Sequence, residues 1–242
     1  GDWHSEIGTT LVLKGVSNSL IVDDAGAVYS HRSPTPGQWF PGGASSTGAR
    51  AIGALFPGVD LAELEREATR LWRSHPEAVT PVYPLIGRGE RFPFVQPSAT
   101  GFAKINGHLT DVRDLGDGPK AYLSVLIGVA CVERLCFEAL AGLGAPVSGR
   151  LTTSGGGAQN TLWSQLRAYM LDMPVAVPAS GDPSMGMAML AASPVENASI
   201  AQLADRMVST HEVFEPRTED TVVLDEVYGR FRAALQNRGW II

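Results

Sequence analysis

The sequence predicts an α/β domain, a mixed sheet flanked by helices, on three observations. Arg150-Leu151-Thr152-Thr153-Ser154 reads as a strand that runs into Gly155-Gly156-Gly157. Leu162, Trp163, Leu166 and Met170 then recur at helical spacing, so the segment is strand, glycine turn and helix. Residues from about 5 to 32 alternate as two strands around Asp23-Asp24-Ala25-Gly26, a turn signal of the hairpin kind. Pro119 to Leu143 is apolar almost all round, the pattern of a buried helix.

The remaining elements follow in order. A short strand to Phe40 enters the small-residue run Pro41 to Ala49 and an Ala-rich stretch. Asp60-Leu61-Ala62-Glu63 is a capping-box variant. It opens an amphipathic helix with Leu61, Leu64, Ala68, Leu71 and Trp72 on one face. Thr80 to Ile86 reads as a strand, and Gly87 to Pro119, rich in Gly, Pro, Asp and Arg, as mostly loop. Gly144 stops the long helix. Met173 to Pro178 is a short strand, Ser184 to Ala192 a small-residue helix, and Ile200 to Met207 a brief helical segment. A closing amphipathic helix runs from Thr221 to Asn237 with Val222, Leu224, Val227, Phe231 and Leu235 inside.

Bulk properties narrow the function. The 242 residues are 44% hydrophobic and 18% charged, which suits a globular chain with a core. A net charge of -6 with a pI near 5.4 argues against nucleic acid, which wants a basic footprint. It does not forbid an anion held by local donors. No apolar run is long enough for a bilayer, and no signal peptide is visible. Cys131 and Cys136 lie five apart in one helix and are expected as reduced core thiols of a cytoplasmic protein. The histidines are scattered, and no carboxylate pair has metal-ligand spacing with them. The chain starts at Gly1-Asp2-Trp3 without an initiator Met, close to a candidate ligand loop, and is expected to be a fragment.

Three small-residue loops stand beside regular elements: Gly8-Thr9-Thr10, Gly42-Gly43-Ala44 and Gly155-Gly156-Gly157. Glycines permit close backbone approach. A helix N-terminus after the last of them is expected to offer free N–H groups and a favourable dipole to an anion. The spacing from Gly155 to Asn160 is not Gly-x-Gly-x-x-Gly, so a Rossmann dehydrogenase is rejected.

The order of these motifs resembles the C-terminal domain of the FGGY carbohydrate kinases over nearly the whole chain, residues 1–242. Ile7-Gly8-Thr9-Thr10 resembles the family's second phosphate loop. Gly42-Gly43-Ala44 is similar to a segment near the nucleotide phosphates. Gly89-Glu90-Arg91-Phe92-Pro93 resembles its GER-P turn, and Ser154 to Asn160 with Trp163 and Gln165 its adenosine loop. Asp182 to Ala191 is similar to its closing small-residue helix. The phrasing of Gly8 to Lys14, Val28 to Arg32 and Pro41 to Ser45 leans toward the ribulose and xylulose kinase branch. Relatives commonly carry Glu-Gly where this chain has Ile127-Gly128.

The resemblance implies a ribonuclease-H-like fold of the actin and hexokinase superfamily. It implies ATP and Mg2+ as cofactors, the metal held mainly through the phosphates and an N-terminal sugar domain absent from this chain. The implied activity is γ-phosphoryl transfer from MgATP to a carbohydrate hydroxyl. The nucleotide contacts are then Gly8, Thr9, Thr10, Gly42, Gly43, Gly155, Gly156, Gly157 and Asn160, with Asn160 at the base. The capping of the following helix is the competing role for Asn160. Lys14 is a weaker phosphate candidate, and Arg88 and Arg91 are read either as forks onto phosphate or as a local pair with Glu90 that holds the turn. No catalytic residue and no metal ligand is assigned here, because the family's base lies upstream of the Gly-Thr-Thr strand. Expected partners are ATP or ADP and a sugar, with neither nucleic acid nor membrane, and a homodimer is allowed. The competing class is a non-catalytic nucleotide-binding module of the actin-like superfamily.

Overall fold

A computed structural model describes residues 1–242. Ten strands form two sheets. The larger has seven strands in the order β10-β9-β8-β1-β2-β4-β3, and the smaller is β5-β6-β7. In the larger sheet β1 (Trp3–Ile7) and β2 (Leu11–Gly15) pair antiparallel, Ile7 opposite Leu11. On β1's other edge lies β8 (Leu151–Ser154), parallel, with Glu6 opposite Ser154. β9 (Val175–Pro178) continues parallel to β8, and β10 (Thr210–Phe214) closes that edge antiparallel. β4 (Trp39–Ser45) and β3 (Tyr29–Arg32) complete the far edge. The parallel set β1, β8 and β9 ends together, so three loops leave the sheet at one edge.

Alternation explains the burial. Trp3, Ser5 and Ile7 of β1 and Leu11 and Leu13 of β2 face inward, while His4, Glu6 and Lys14 do not. Helix α1 (Arg50–Leu55) is short, and α2 (Leu61–Ser74) begins at Asp60, whose carboxylate accepts from the N–H of Ala62 and Glu63. The expected cap is therefore present. Helix α3 (Pro119–Gly142) runs through the core. Its Gly128 abuts β5 (Val82–Glu90) so closely that a Cβ would sit 2.6 Å from the Val82 carbonyl oxygen. Its Phe137 meets Trp3 edge-on at 5.5 Å. Helix α4 (Thr161–Leu171) packs on α3, and α7 (Thr218–Gln236) packs on α4. One cluster of 52 buried apolar residues joins both sheets.

Several expectations change. The first hairpin turns at Gly8-Thr9-Thr10, not at Asp23 to Gly26. The latter is a separate turn, in which the Asp23 carboxylate takes the N–H of Ala25 and Ala27. Residues 5–32 thus hold three strands, the Gly8-Thr9-Thr10 loop separating the first two. Strand β4 continues through Gly42 and Gly43. A Cβ on Gly42 would lie 1.9 Å from the Leu13 carbonyl oxygen, and on Gly43 2.7 Å from the Phe92 ring. These glycines allow close packing rather than ending the strand.

The supposed loop Gly87 to Pro119 is largely sheet. It contains the end of β5, β6 (Gln96–Ile105) and β7 (His108–Asp111), joined at Asn106-Gly107 with φ of 50° and 83°. Asn-Gly is the favoured pair for such a hairpin. Gly101 sits where a Cβ would meet the Leu85 carbonyl oxygen at 2.2 Å, so its glycine marks a close approach and not a coil. β10 has four exposed residues of five and no apolar alternation to reveal it. The small-residue helix is longer than expected, α5 (Pro183–Glu196), and α6 (Ile200–Met207) is as read. In α7 Val222 is 55% exposed, while Leu224, Val227, Phe231 and Leu235 are buried.

Candidate functional site

The C-terminal ends of β1, β8 and β9 carry Gly8-Thr9-Thr10, Ser154-Gly155-Gly156-Gly157 and Ala179-Ser180-Gly181-Asp182. A crevice outside the carboxyl ends of parallel strands is where open α/β sheets take ligands. Here a cleft of about 700 Å³ lies at the ends of β8 and β9, with Ser154, Gly156, Gln159, Ser180, Asp182 and His211 among its walls. That volume suits a nucleotide-sized molecule.

The three glycines do different things. Gly155 has φ of 86°, and a Cβ there would lie 2.6 Å from the Ile7 carbonyl oxygen and 3.1 Å from the Gly8 nitrogen. It therefore seats the second loop directly on the first. Gly157 is buried, its missing Cβ replaced by Ile7 at 2.6 Å and the Trp163 ring at 3.1 Å. Only Gly156 faces open space, with nothing within 4 Å of a Cβ. A short 3-10 turn, Gly156–Gln159, leads from them to α4.

Asn160 takes the capping role. Its Oδ1 accepts from the Trp163 N–H at 2.7 Å, and its Nδ2 donates to the Tyr122 hydroxyl at 2.9 Å. Both ends of the amide are occupied, and the residue is not among those lining the cleft. Two N–H groups at the N-terminus of α4 are likewise taken. Asn160 holds one N–H, and the Glu65 carboxylate, reaching from α2, accepts the Leu162 N–H at 3.2 Å. Burial pushes the Tyr122 hydroxyl up to about 12, with Glu65 adding to it and Asn160 opposing.

Gly8, Thr9 and Thr10 form a tight loop. The Gly8 N–H turns inward to the Thr10 carbonyl, and the Gly8 and Thr9 carbonyls accept from Ala49 and Arg50. The N–H groups of Thr9 and Thr10 meet no protein acceptor, and Thr9 is exposed. These are free donors beside Gly155. Gly42 and Gly43 are not brought there. They lie back along the ladder, opposite Lys14 and Leu13, buried and filled as described. Lys14 rests its ammonium 3.9 Å over the Tyr29 ring, and burial lowers its pKa.

The turn at Glu90 is not an Arg–Glu pair. The buried Glu90 carboxylate accepts from the Ser46 N–H at 2.6 Å, the Tyr83 hydroxyl at 2.6 Å, the Ser45 hydroxyl at 2.9 Å and the Arg91 N–H at 2.9 Å. It pins β4 to the second sheet.

The FGGY family of carbohydrate kinases, C-terminal domain, matches residues 7–194. The chain belongs to the FGGY family of carbohydrate kinases. Solved structures agree in fold. A xyloylose kinase from Brucella ovis superposes with a TM-score of 0.82 at 24% identity, over 99% of this chain and 48% of that one. The xylulose kinase from Rhodospirillum rubrum gives 0.79 at 22%, over 98% and 47%. Plasmodium falciparum glycerol kinase with ADP gives 0.71 at 14%, over 99% and 47%. The chain spans about half the length of the structures it matches. The ribonuclease-H-like expectation holds, since these kinases share the mixed α/β architecture seen here.

This FGGY domain holds groups that the sequence reading did not single out. Arg167 of α4 and Glu133 of α3, both fully buried, pair through two bonds of 2.7 Å. Arg167 also donates to the Thr153 hydroxyl at 2.8 Å, which in turn donates to the Ser5 carbonyl at 2.9 Å. The network therefore grips β8 one residue before the cleft loop. His4, on the opposite face, bonds Thr152 Oγ1 at 2.8 Å and Ser154 Oγ at 2.9 Å. Burial lowers its pKa, Glu6 opposes, and Arg167 adds to the lowering. The only signal for the ion pair was two charges inside apolar helix patterns. His31, by contrast, lies exposed beside Tyr29. Cys131 and Cys136 are free and buried, and burial pushes both thiols up.

Proposed function

We propose that this chain is the ATP-binding half of a sugar kinase. The reaction is transfer of the γ-phosphoryl group of MgATP to a carbohydrate hydroxyl, with a pentulose such as ribulose or xylulose as acceptor. The observations that carry the reading are the cleft at the ends of β8 and β9, where Gly156 leaves the wall open, and the unpaired N–H groups of Thr9 and Thr10 on the adjoining loop after β1. Adenosine would lie along Gly156 and the Ala179–Asp182 loop. The phosphates would run toward Gly8, Thr9 and Thr10. The pentulose rests on the xylulose kinases among the structural neighbours and on the phrasing of the first loop.

The donor set fits phosphate oxygens. The N–H groups of Thr9 and Thr10 can donate to phosphate oxygens, and no cluster of three or more His, Cys, Asp or Glu side chains is arranged for a metal. Mg2+ would travel on the phosphate oxygens, where it neutralises charge during transfer. Phosphoryl transfer asks little covalent chemistry of the protein, so the work of this half is positioning and charge stabilisation. Asn160 enters as a support. By capping α4 and holding Tyr122 it fixes the loop that the adenosine would touch. Gly42 and Gly43 act the same way, through the packing of β4. The base and most sugar contacts belong to another domain.

Titration calorimetry with ADP tests this. One weak site is expected, because closure between domains normally completes such a cleft. Gly156→Val should abolish it. Absence of binding to the wild-type chain would sink the nucleotide reading. Sugar-dependent ADP release by this chain alone, over a panel of pentuloses, hexuloses and polyols, would overturn the division into halves.

A further inference from the structure

A second cavity of about 290 Å³ lies on the far side of the α4 N-terminus, between α2, α4 and the residue that opens α7. Glu65, Trp72 and Arg73 line it from α2, Gln165 and Tyr169 from α4, and Arg217 from the third side. Trp72 is only 4% exposed, yet its Nε1–H has no acceptor. Its ring stacks on Tyr169 at 6.4 Å and 23°. The Arg217 guanidinium sits 5.0 Å over the same tyrosine and spends one nitrogen on Asp220 at 2.6 Å. Arg73 makes no ion pair.

Among the acceptors in the walls, one Glu65 oxygen is used: it takes the Leu162 N–H. The donors with capacity to spare are the indole N–H, the unpaired Arg73 and the remaining nitrogens of Arg217, over an aromatic floor. Leaving a buried N–H unmade costs about 1–3 kcal/mol, and an acceptor that reached it would remove that cost. Arginine forks match the geometry of phosphate and carboxylate oxygens. We propose that this cavity is a second ligand site, taking the phosphate or carboxylate group of a small metabolite. Thr161 lines both this cavity and the main cleft, so the two sites share one wall, the first turn of α4. The proposal stands whether or not the main cleft takes ATP.

The test reads the orphan indole directly. The 15N-labelled chain has five tryptophans. Trp72→Phe assigns the Trp72 indole signal. Trp3 and Trp163, whose indoles already donate to the Pro146 and Leu126 carbonyls, serve as internal controls. Inorganic phosphate and acetate are titrated separately, with chloride holding the ionic strength constant. The Trp72 indole proton should move downfield and saturate, with a Kd on the order of millimolar for such small probes, while the controls stay. The tighter of the two probes identifies the oxyanion. Arg73→Gln and Arg217→Gln, both at exposed positions, should keep the melting temperature and raise that Kd at least fivefold. A silent Trp72 signal, a shift reproduced by chloride, or an unchanged Kd in both arginine variants overturns the site.

Discussion

At the scale of single residues, neighbouring glycines of one loop should fail in opposite ways. Gly156 faces space, so Gly156→Val should leave the melting temperature nearly unchanged and remove ADP binding. Gly157 is packed on Ile7 and Trp163. Gly157→Ala should therefore destabilise the chain by about 1–3 kcal/mol, the usual cost of overpacking. Denaturant melts with calorimetry separate the two; equal stability losses would show that the packing reading is wrong. The motif was legible as letters, but the sequence does not say which glycine touches ligand and which touches core. That assignment depends on Ile7, in a strand more than a hundred residues away. Asn160 teaches the same lesson. An N-cap and a ligand contact need the same side chain, and only the position of Tyr122 decides between them.

His4 gives a residue-scale pH prediction. Its folded-state pKa is lowered, chiefly by burial. The unfolded chain therefore binds a proton more readily, and stability rises with pH across the interval between the two values. The contribution is complete above the unfolded value of about 6.5 and is lost as the pH falls through the lower folded one. The melting temperature should drop from pH 7.5 to pH 5.5, and His4→Gln should flatten that part of the profile. An unaltered profile in the variant would assign the acid sensitivity to other groups.

At the scale of elements, α3 and α4 are joined by the Arg167–Glu133 pair. Removing one partner leaves a buried charge, which costs about 3–5 kcal/mol; replacing both by apolar residues of similar volume is often neutral or stabilising. Glu133→Leu alone should thus be severely destabilised, and Glu133→Leu with Arg167→Leu should recover most of the loss. A double variant no more stable than the single would show that the pair holds the helices by more than compensation. Helices with capping signals or unbroken apolar runs, α2 and α3, were readable because their signals are local. Of the second sheet only the first part of β5 was, as the strand read over Thr80 to Ile86. The glycines and prolines that follow read as coil, whereas Gly101 is needed where β6 passes the Leu85 carbonyl. The Asn106-Gly107 hairpin was present as a signal and was outweighed by composition. β10 carries no local signal, being an exposed edge strand placed only by its partner β9.

At the scale of the whole molecule, the two sheets are not two folding units. Tyr83 and Phe102 of the small sheet and Trp3 and Leu13 of the large one belong to the same apolar cluster, with α3 running through it. Glu90 adds a buried polar tie from β5 to β4. Melting should therefore be one cooperative transition, with calorimetric and van't Hoff enthalpies equal. Helix α5 is the exception. None of its residues is buried, and Met187 is 65% exposed. Its amides should exchange fastest among the helices, since little burial protects them. ADP then provides the discriminating experiment. A ligand that binds only the native state raises stability by RT ln(1 + [L]/Kd), about 2.7 kcal/mol at a hundredfold excess over Kd. If the cleft loops are continuous with the common core, ADP should move the single transition upward as a whole and leave the exchange of α5 almost untouched. A second transition appearing with ADP, or one that leaves the first in place, would show that β8, β9 and their loops melt apart from the rest.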